Sequence, residues 1–249
     1  MLNALDEILS TCRDRGVKVI VDAESQHFQK AIDDVAIDLM RKYNRNGYAA
    51  IYNTYQAYLK STAQNIANHL AEAQKEGFTH GLKLVRGAYI STEKRSLIHD
   101  TKEDTDKAYD HIIHGAVRRQ FDKFGGENPL PFPSVDLFLA SHNKKSLLSA
   151  LRLHRQMTKA GLQTVPIAFG QLHGMSDELS FSLVHEGEDG EAGPDVFKCS
   201  TWGSMSECLA YMMRRAAENR DAVLRTTDEY AAVKQECWKR LKKAFAIAS

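Results

Sequence analysis

The sequence predicts an α/β fold, and three observations carry that expectation. Short β-branched or apolar runs alternate with longer segments of helical periodicity. The runs are apolar in both registers, as in parallel strands covered on both faces. Polar residues recur at the C-terminal ends of these runs, where an α/β barrel gathers its chemistry.

VKVIVDA (17–23) is the first run, and a helical pattern over 25–43 follows it. AAIYNTY (49–55) leads into 55–76, where Tyr58, Leu59, Ala63, Ile66, Ala67 and Leu70 recur at spacings near one helical turn. LKLVRGA (82–88) precedes a helix over 104–123. The Gly/Pro-rich linker FGGENPLPFPS (124–134) enters VDLFLAS (135–141), followed by a helix over 144–160. TVPIAFG (164–170) is the fifth run. The acidic, glycine-rich stretch 185–194 reads as a solvated loop before DVFKCS (195–200). Helices over 204–222 and 228–246 close the chain, the last with a basic end, KRLKKAF, that complements its dipole. The repeating unit is therefore (βα)n, read as one domain over 1–249. A doubly wound sheet would carry a glycine-rich phosphate turn, and GxGxxG is absent, so a TIM barrel is expected. Six strands are visible where a closed barrel has eight.

Composition removes several classes of function. Lys and Arg number 33 against 32 Asp and Glu, which gives no electrostatic basis for binding nucleic acid. No apolar stretch is long enough to span a bilayer, and the first residues resemble neither a secretory signal nor a transit peptide. Cys12, Cys199, Cys208 and Cys237 form no CxxC pair and no disulfide framework, and the histidines do not cluster at ligand spacing, so no metal site is expected. GxSxG and HExxH are absent.

Each strand-end residue has a structural and a functional reading. Asp22 could orient a cation or cap the helix after it. Tyr55 ends the second run and Gln56 follows it, and the Gln56 amide could donate to a ring acceptor. Arg86-Gly87 permits a close backbone approach with nearby amides facing a ligand, or an ordinary turn. At His142-Asn143, catalytic, cofactor and capping roles compete. Gln171 and His173 end the fifth run and Cys199 the sixth. Arg214 and Arg215, adjacent on a helix rich in Leu and Met, are either solvated or a paired anchor for one carboxylate.

Taken together, VDAE, YNTYQAYLK, KLVRGAY, ASHN, GQLHGM and RRAAEN, in that order and nearly along the whole chain, resemble the proline dehydrogenases. The C-terminal part is similar to the fungal mitochondrial branch. The resemblance implies a distorted (βα)8 barrel that binds FAD, oxidises L-proline to Δ1-pyrroline-5-carboxylate and passes electrons to a membrane quinone. It also implies a mitochondrial location with peripheral association with the inner membrane. By the same resemblance Arg214 and Arg215 hold the substrate carboxylate, and Asp22, Tyr89 and Leu172 shape its pocket. Gln56, Lys83, Val85, Arg86, Gly87, Ala88, His142, Asn143, Gln171 and Glu218 fall on or beside FAD-contacting positions. Two departures stand out. The family has a preceding strand with a pocket lysine, which implies a barrel incomplete at its N-terminus here, so a fragment or a truncated, non-catalytic paralogue is an alternative. Many members have tyrosine in KYxPxG, whereas this chain reads KCSTWG, with Cys199 at that place and Thr201 for the proline. Hydroxyproline-oxidising relatives also carry a small residue there, so trans-4-hydroxy-L-proline is the alternative substrate.

Overall fold

The computed structural model describes residues 2–90, 92–127, 130–185, 193–218 and 226–244. The Arg214 and Glu218 side chains lie outside the described set, as does most of the acidic stretch, 186–192. The chain divides into two compact units, Met1–Gly170 and Gln171–Ser249.

In the first unit, helix α1 (Leu2–Asp14) precedes strand β1 (Val19–Val21) and helix α2 (Gln26–Tyr43). Strand β2 (Ile51–Gln56), helix α3 (Thr62–Glu76), strand β3 (His80–Val85) and helix α4 (Lys102–Arg118) follow. Strand β4 (Val135–Ala140), helix α5 (Lys144–Lys159) and most of strand β5 (Ile167–Leu172) complete it. Strands β1 to β5 pair in chain order, all parallel. The α/β expectation therefore holds. The second unit contains helix α6 (Asp177–His185), strand β6 (Asp195–Cys199), helix α7 (Met205–Glu218) and helix α8 (Thr226–Ala244). Within this unit, His173 N donates to Cys199 O at the end of β6 at 2.8 Å.

The helices form where apolar residues recur at three- and four-residue steps. Helix α3 buries Ile66, Ala67, Leu70 and Ala73 and stops at Gly77, whose φ of 67° is the left-handed C-terminal turn that glycine adopts freely. Helix α4 starts at Thr101, whose hydroxyl accepts from Asp104 N, and buries Tyr109, Ile112, Ile113, Ala116 and Val117. Buried Asn44 fixes the start of β2: its Oδ1 accepts from Ala50 N and Ile51 N, and its Nδ2 donates to Ile51 O and Thr79 O.

Three sequence expectations need correction. The helix expected over 55–76 begins only at Thr62, because Ala57 N and Tyr58 N donate to Val85 O and Arg86 O and prolong the pairing of β2 with β3. The strand expected over 82–88 spans His80–Val85, so Arg86, Gly87 and Ala88 lie in the turn beyond it. Burial of both faces holds for β2, where every residue is buried, but not for β6, which alternates exposed and half-buried positions. Helices α1 and α6 were not expected.

Candidate active site

Strand register brings the candidate residues of the first unit together. Thr54, Lys83, Phe138 and Ala168 lie in one row across β2 to β5. Val21 pairs with Asn53, so Asp22 falls next to Thr54 in that row. Thr54 is short and turns its hydroxyl to Val21 O at 2.8 Å, which leaves Lys83 open to Asp22. The Lys83 ammonium bonds the Asp22 carboxylate, with 14% of the lysine side chain exposed and 78% of the aspartate. The capping alternative for Asp22 is excluded: α2 begins at Gln26 behind Ser25. Lys83 keeps two N–H donors beyond this pair.

Two residues further toward the strand ends, on the same face, the buried Gln56 amide clamps two turns. Its Nε2 donates to Glu24 O at 3.0 Å and its Oε1 accepts from Ala88 N at 3.1 Å. The Ala88 amide is thus used internally, which corrects the expectation that it faces a ligand. Gln56 retains one amide hydrogen. Val85 is the register partner of Gln56 and shares its face, half-buried.

Arg86 is held as a fixed fork. Its Nε bonds Asp106 Oδ1 at 2.7 Å, its two terminal nitrogens bond Ser141 Oγ at 2.5 Å and Ser146 Oγ at 2.9 Å, and its Cζ lies 4.2 Å from the Tyr109 ring centroid. Burial resists ionisation of Asp106, yet hydrogen bonds and charge from Lys102 and Arg86 hold its carboxyl below the usual range. Two of the five guanidinium N–H groups remain. Gly87, with φ 142°, is required by packing: a Cβ there would lie 2.2 Å from Tyr58 Cδ1. Tyr89 is half-buried, and its carbonyl accepts from Thr92 N and Glu93 N.

Two other candidates resolve differently. Tyr55 points away from Gln56, as alternation requires, into a buried contact with His69 and His80. It leaves the candidate site. Asn143 caps α5, its Oδ1 accepting from Ser146 N at 3.2 Å, while neighbouring His142 is half-buried.

Within the second unit, buried Gln171 accepts from Ser180 Oγ at 2.9 Å, and Leu172 is half-buried. Cys199 is exposed with a free thiol, its Sγ 3.9 Å from Tyr211 OH. The Arg215 Cζ lies 5.5 Å from the Tyr211 ring centroid. Tyr211 thus links the two candidates, and sequence reasoning missed it. Its signal was the four-residue step to Arg215 on one helix. Also missed were Asp106, Ser141 and Ser146, which aim Arg86 and had no mark beyond ordinary polarity. Among the described residues, no three His, Cys, Asp or Glu side chains could hold a metal ion, and no helix is long and apolar enough to cross a membrane.

The donor set, two N–H groups on Lys83, two on Arg86 and one on Gln56, fits an anionic or electron-rich ring acceptor such as a flavin. It supplies cations and amide donors at adjacent strand ends.

Proline dehydrogenase 1, mitochondrial, of Caenorhabditis elegans is 35% identical over 238 residues, 92% of this chain and 36% of its own. Hydroxyproline dehydrogenase of Mus musculus is 33% identical over 251 residues, 96% of this chain and 51% of its own. The chain thus spans about half the length, or less, of these curated relatives. The crystal structure of proline utilization A (PutA) from Bdellovibrio bacteriovorus inactivated by N-propargylglycine matches with a TM-score of 0.68 at 21% identity. The match covers 87% of this chain and 21% of that one and shares its fold. The proline dehydrogenase family model matches residues 2–228, and the chain belongs to that family.

Proposed function

We propose that the protein acts as an FAD-dependent proline dehydrogenase, oxidising L-proline to Δ1-pyrroline-5-carboxylate and passing the electrons to a membrane quinone in the mitochondrion. The observation that carries this reading is the family match over residues 2–228, which includes the strand ends bearing Lys83, Gln56 and Arg86. When bound, FAD supplies hydride acceptance from the substrate carbon. The chain's own residues bind and orient. Lys83 and Gln56 offer donors on one sheet face, and Arg86, immobilised by Asp106, Ser141 and Ser146, adds fixed positive charge without reorganisation. Arg215, with Arg214, holds the substrate carboxylate by charge-assisted hydrogen bonds. Asp22, Tyr89 and Leu172 shape the pocket, and His142, Asn143, Gln171 and Glu218 contribute to the cofactor side. The substrate amine must be neutral to release hydride, so flavin reduction rises toward alkaline pH.

The exposed Cys199, small where many relatives carry tyrosine, favours a second reading: oxidation of trans-4-hydroxy-L-proline. The mouse relative named hydroxyproline dehydrogenase supports it. A third reading is a paralogue without activity.

Purified protein is titrated anaerobically with each amino acid while the flavin absorbance is followed. Bleaching by proline, with the higher kcat/KM for proline, supports the leading reading. A higher kcat/KM for hydroxyproline selects the second, and protein that carries no flavin selects the third. Arg215→Met should raise KM for proline by a factor on the order of 30–1000 while flavin content stays unchanged, the cost of removing one partner of a buried charged contact. An unchanged KM removes Arg215 from the carboxylate site.

A further inference from the structure

Helix α8 is amphipathic and basic, and nothing assigned so far uses it. At 100° per residue, Tyr230, Val233, Cys237 and Leu241 fall on one stripe, with Trp238 at its edge. These apolar residues are not covered: Tyr230 is 69% exposed, Val233 62%, Trp238 61% and Leu241 49%. Lys242 flanks the stripe on one side and Arg240 on the other, Lys234 lies within it, and Lys239 and Lys243 occupy the opposite face. Residues 234–243 hold five basic side chains against one acidic, a surplus of four in a chain whose net charge is +1. Arg240 pairs with Glu236 at 2.9 Å, and the four lysines form no ion pair within the described residues.

From this geometry we infer that α8 is a membrane-surface helix that docks the protein on a bilayer containing anionic phospholipid. Charge complementarity selects this occupant. A second copy would set this basic face against its own like charge, whereas an anionic leaflet complements it. Long lysine side chains beside an apolar stripe let the stripe enter the acyl boundary while the ammonium groups stay with the headgroups. The Trp238 indole suits the interface, where an apolar ring keeps its N–H wet. The inference gives the proposed membrane association a physical element, and it rests on α8 alone, not on the catalytic reading.

Vesicle flotation tests it without turnover. The 249-residue protein should float with vesicles of phosphatidylcholine and phosphatidylserine, remain at the bottom with phosphatidylcholine alone, and detach as salt is raised. Combining Lys239→Glu, Lys242→Glu and Lys243→Glu should reduce partitioning by about 100-fold or more. Leu241→Glu should reduce it about tenfold or more. With Trp202→Phe leaving Trp238 as the one tryptophan, emission should shift to the blue and be quenched by bromine on the acyl chains. That readout holds even where a charge variant loses helicity. Failure to float with the anionic vesicles overturns the inference. So does a folded charge variant that floats like the parent, or self-association in sedimentation velocity that Leu241→Glu abolishes, which would make a second copy the occupant.

Discussion

Gly87 shows how a residue's type can be readable while its reason is not. The sequence marks it in LVRGAY as either a close backbone approach to a ligand or an ordinary turn. In the structure the neighbour is the Tyr58 ring, which lies where a Cβ would be. Tyr58 is itself buried, and burial, followed by the charge of Glu93, pushes its phenol up to about 12. Burial desolvates that hydroxyl, a cost that the packing of the ring offsets. Gly87→Ala therefore combines a left-handed backbone with a steric collision, and a loss of roughly 2–4 kcal/mol is expected in urea unfolding. Tyr58→Leu in the same chain should recover part of that loss, because the two residues are in contact. Additive effects of the two substitutions would show that the backbone conformation alone sets the cost.

The pairing of β2 with β3 hides a second chemical feature, on the face away from the candidate site. Tyr55 OH lies 2.6 Å from His69 Nδ1, on α3, and 3.1 Å from His80 Nε2, on β3. Burial, with His69 as a second cause, lowers the His80 pKa to about 3. His69 is also lowered by burial, although Asp33, Glu72 and Asp34 oppose that shift and Lys30 assists it. Both rings are therefore neutral in the native state near neutrality. An unfolded histidine titrates near 6.5, so between that value and about 3 the unfolded chain holds a proton that native His80 lacks. The stability held by the neutral ring is complete above about pH 6.5 and declines as pH falls toward 3, by about 1.4 kcal/mol per pH unit for one proton. Urea unfolding at a series of pH values from 7.5 down to about 4.5 should show this slope. In His80→Phe the slope should be shallower by one proton. An identical slope in parent and variant would assign the acid sensitivity to other groups, such as Asp106.

Over the whole molecule, alternation and strand order were readable because each βα step repeats the same apolar pattern. The misreadings have local causes. Helix α1 does carry a helical period, with Leu2, Leu5, Leu9 and Cys12 at three- and four-residue steps, and it was overlooked, whereas the nine residues of α6, DELSFSLVH, hold no such stripe. The TYQAYLK segment has helical periodicity, but Ala57 N and Tyr58 N donate to Val85 O and Arg86 O instead of closing a helical turn. The Lys83–Asp22 pair depends on strand register, which residue order alone does not specify. The same bookkeeping of burial separates the two units. Among the described residues, every fully buried apolar side chain from Leu9 to Phe169 belongs to the first unit, and only Leu179 and Leu183 to the second. The second unit instead exposes Phe197, Trp202, Met205, Leu209, Met212 and Met213. Apolar burial is the main favourable term in folding, so local opening should cost far less after Gly170 than before it. Hydrogen exchange followed by mass spectrometry should therefore show peptides from β2, β3 and β4 protected longest and those from β6 and α7 exchanging orders of magnitude sooner. Brief native proteolysis should cut after Gly170 first and leave the preceding unit as the persistent fragment. Equal protection of β6 and β3 would mean that the exposed apolar face of the second unit is covered in solution.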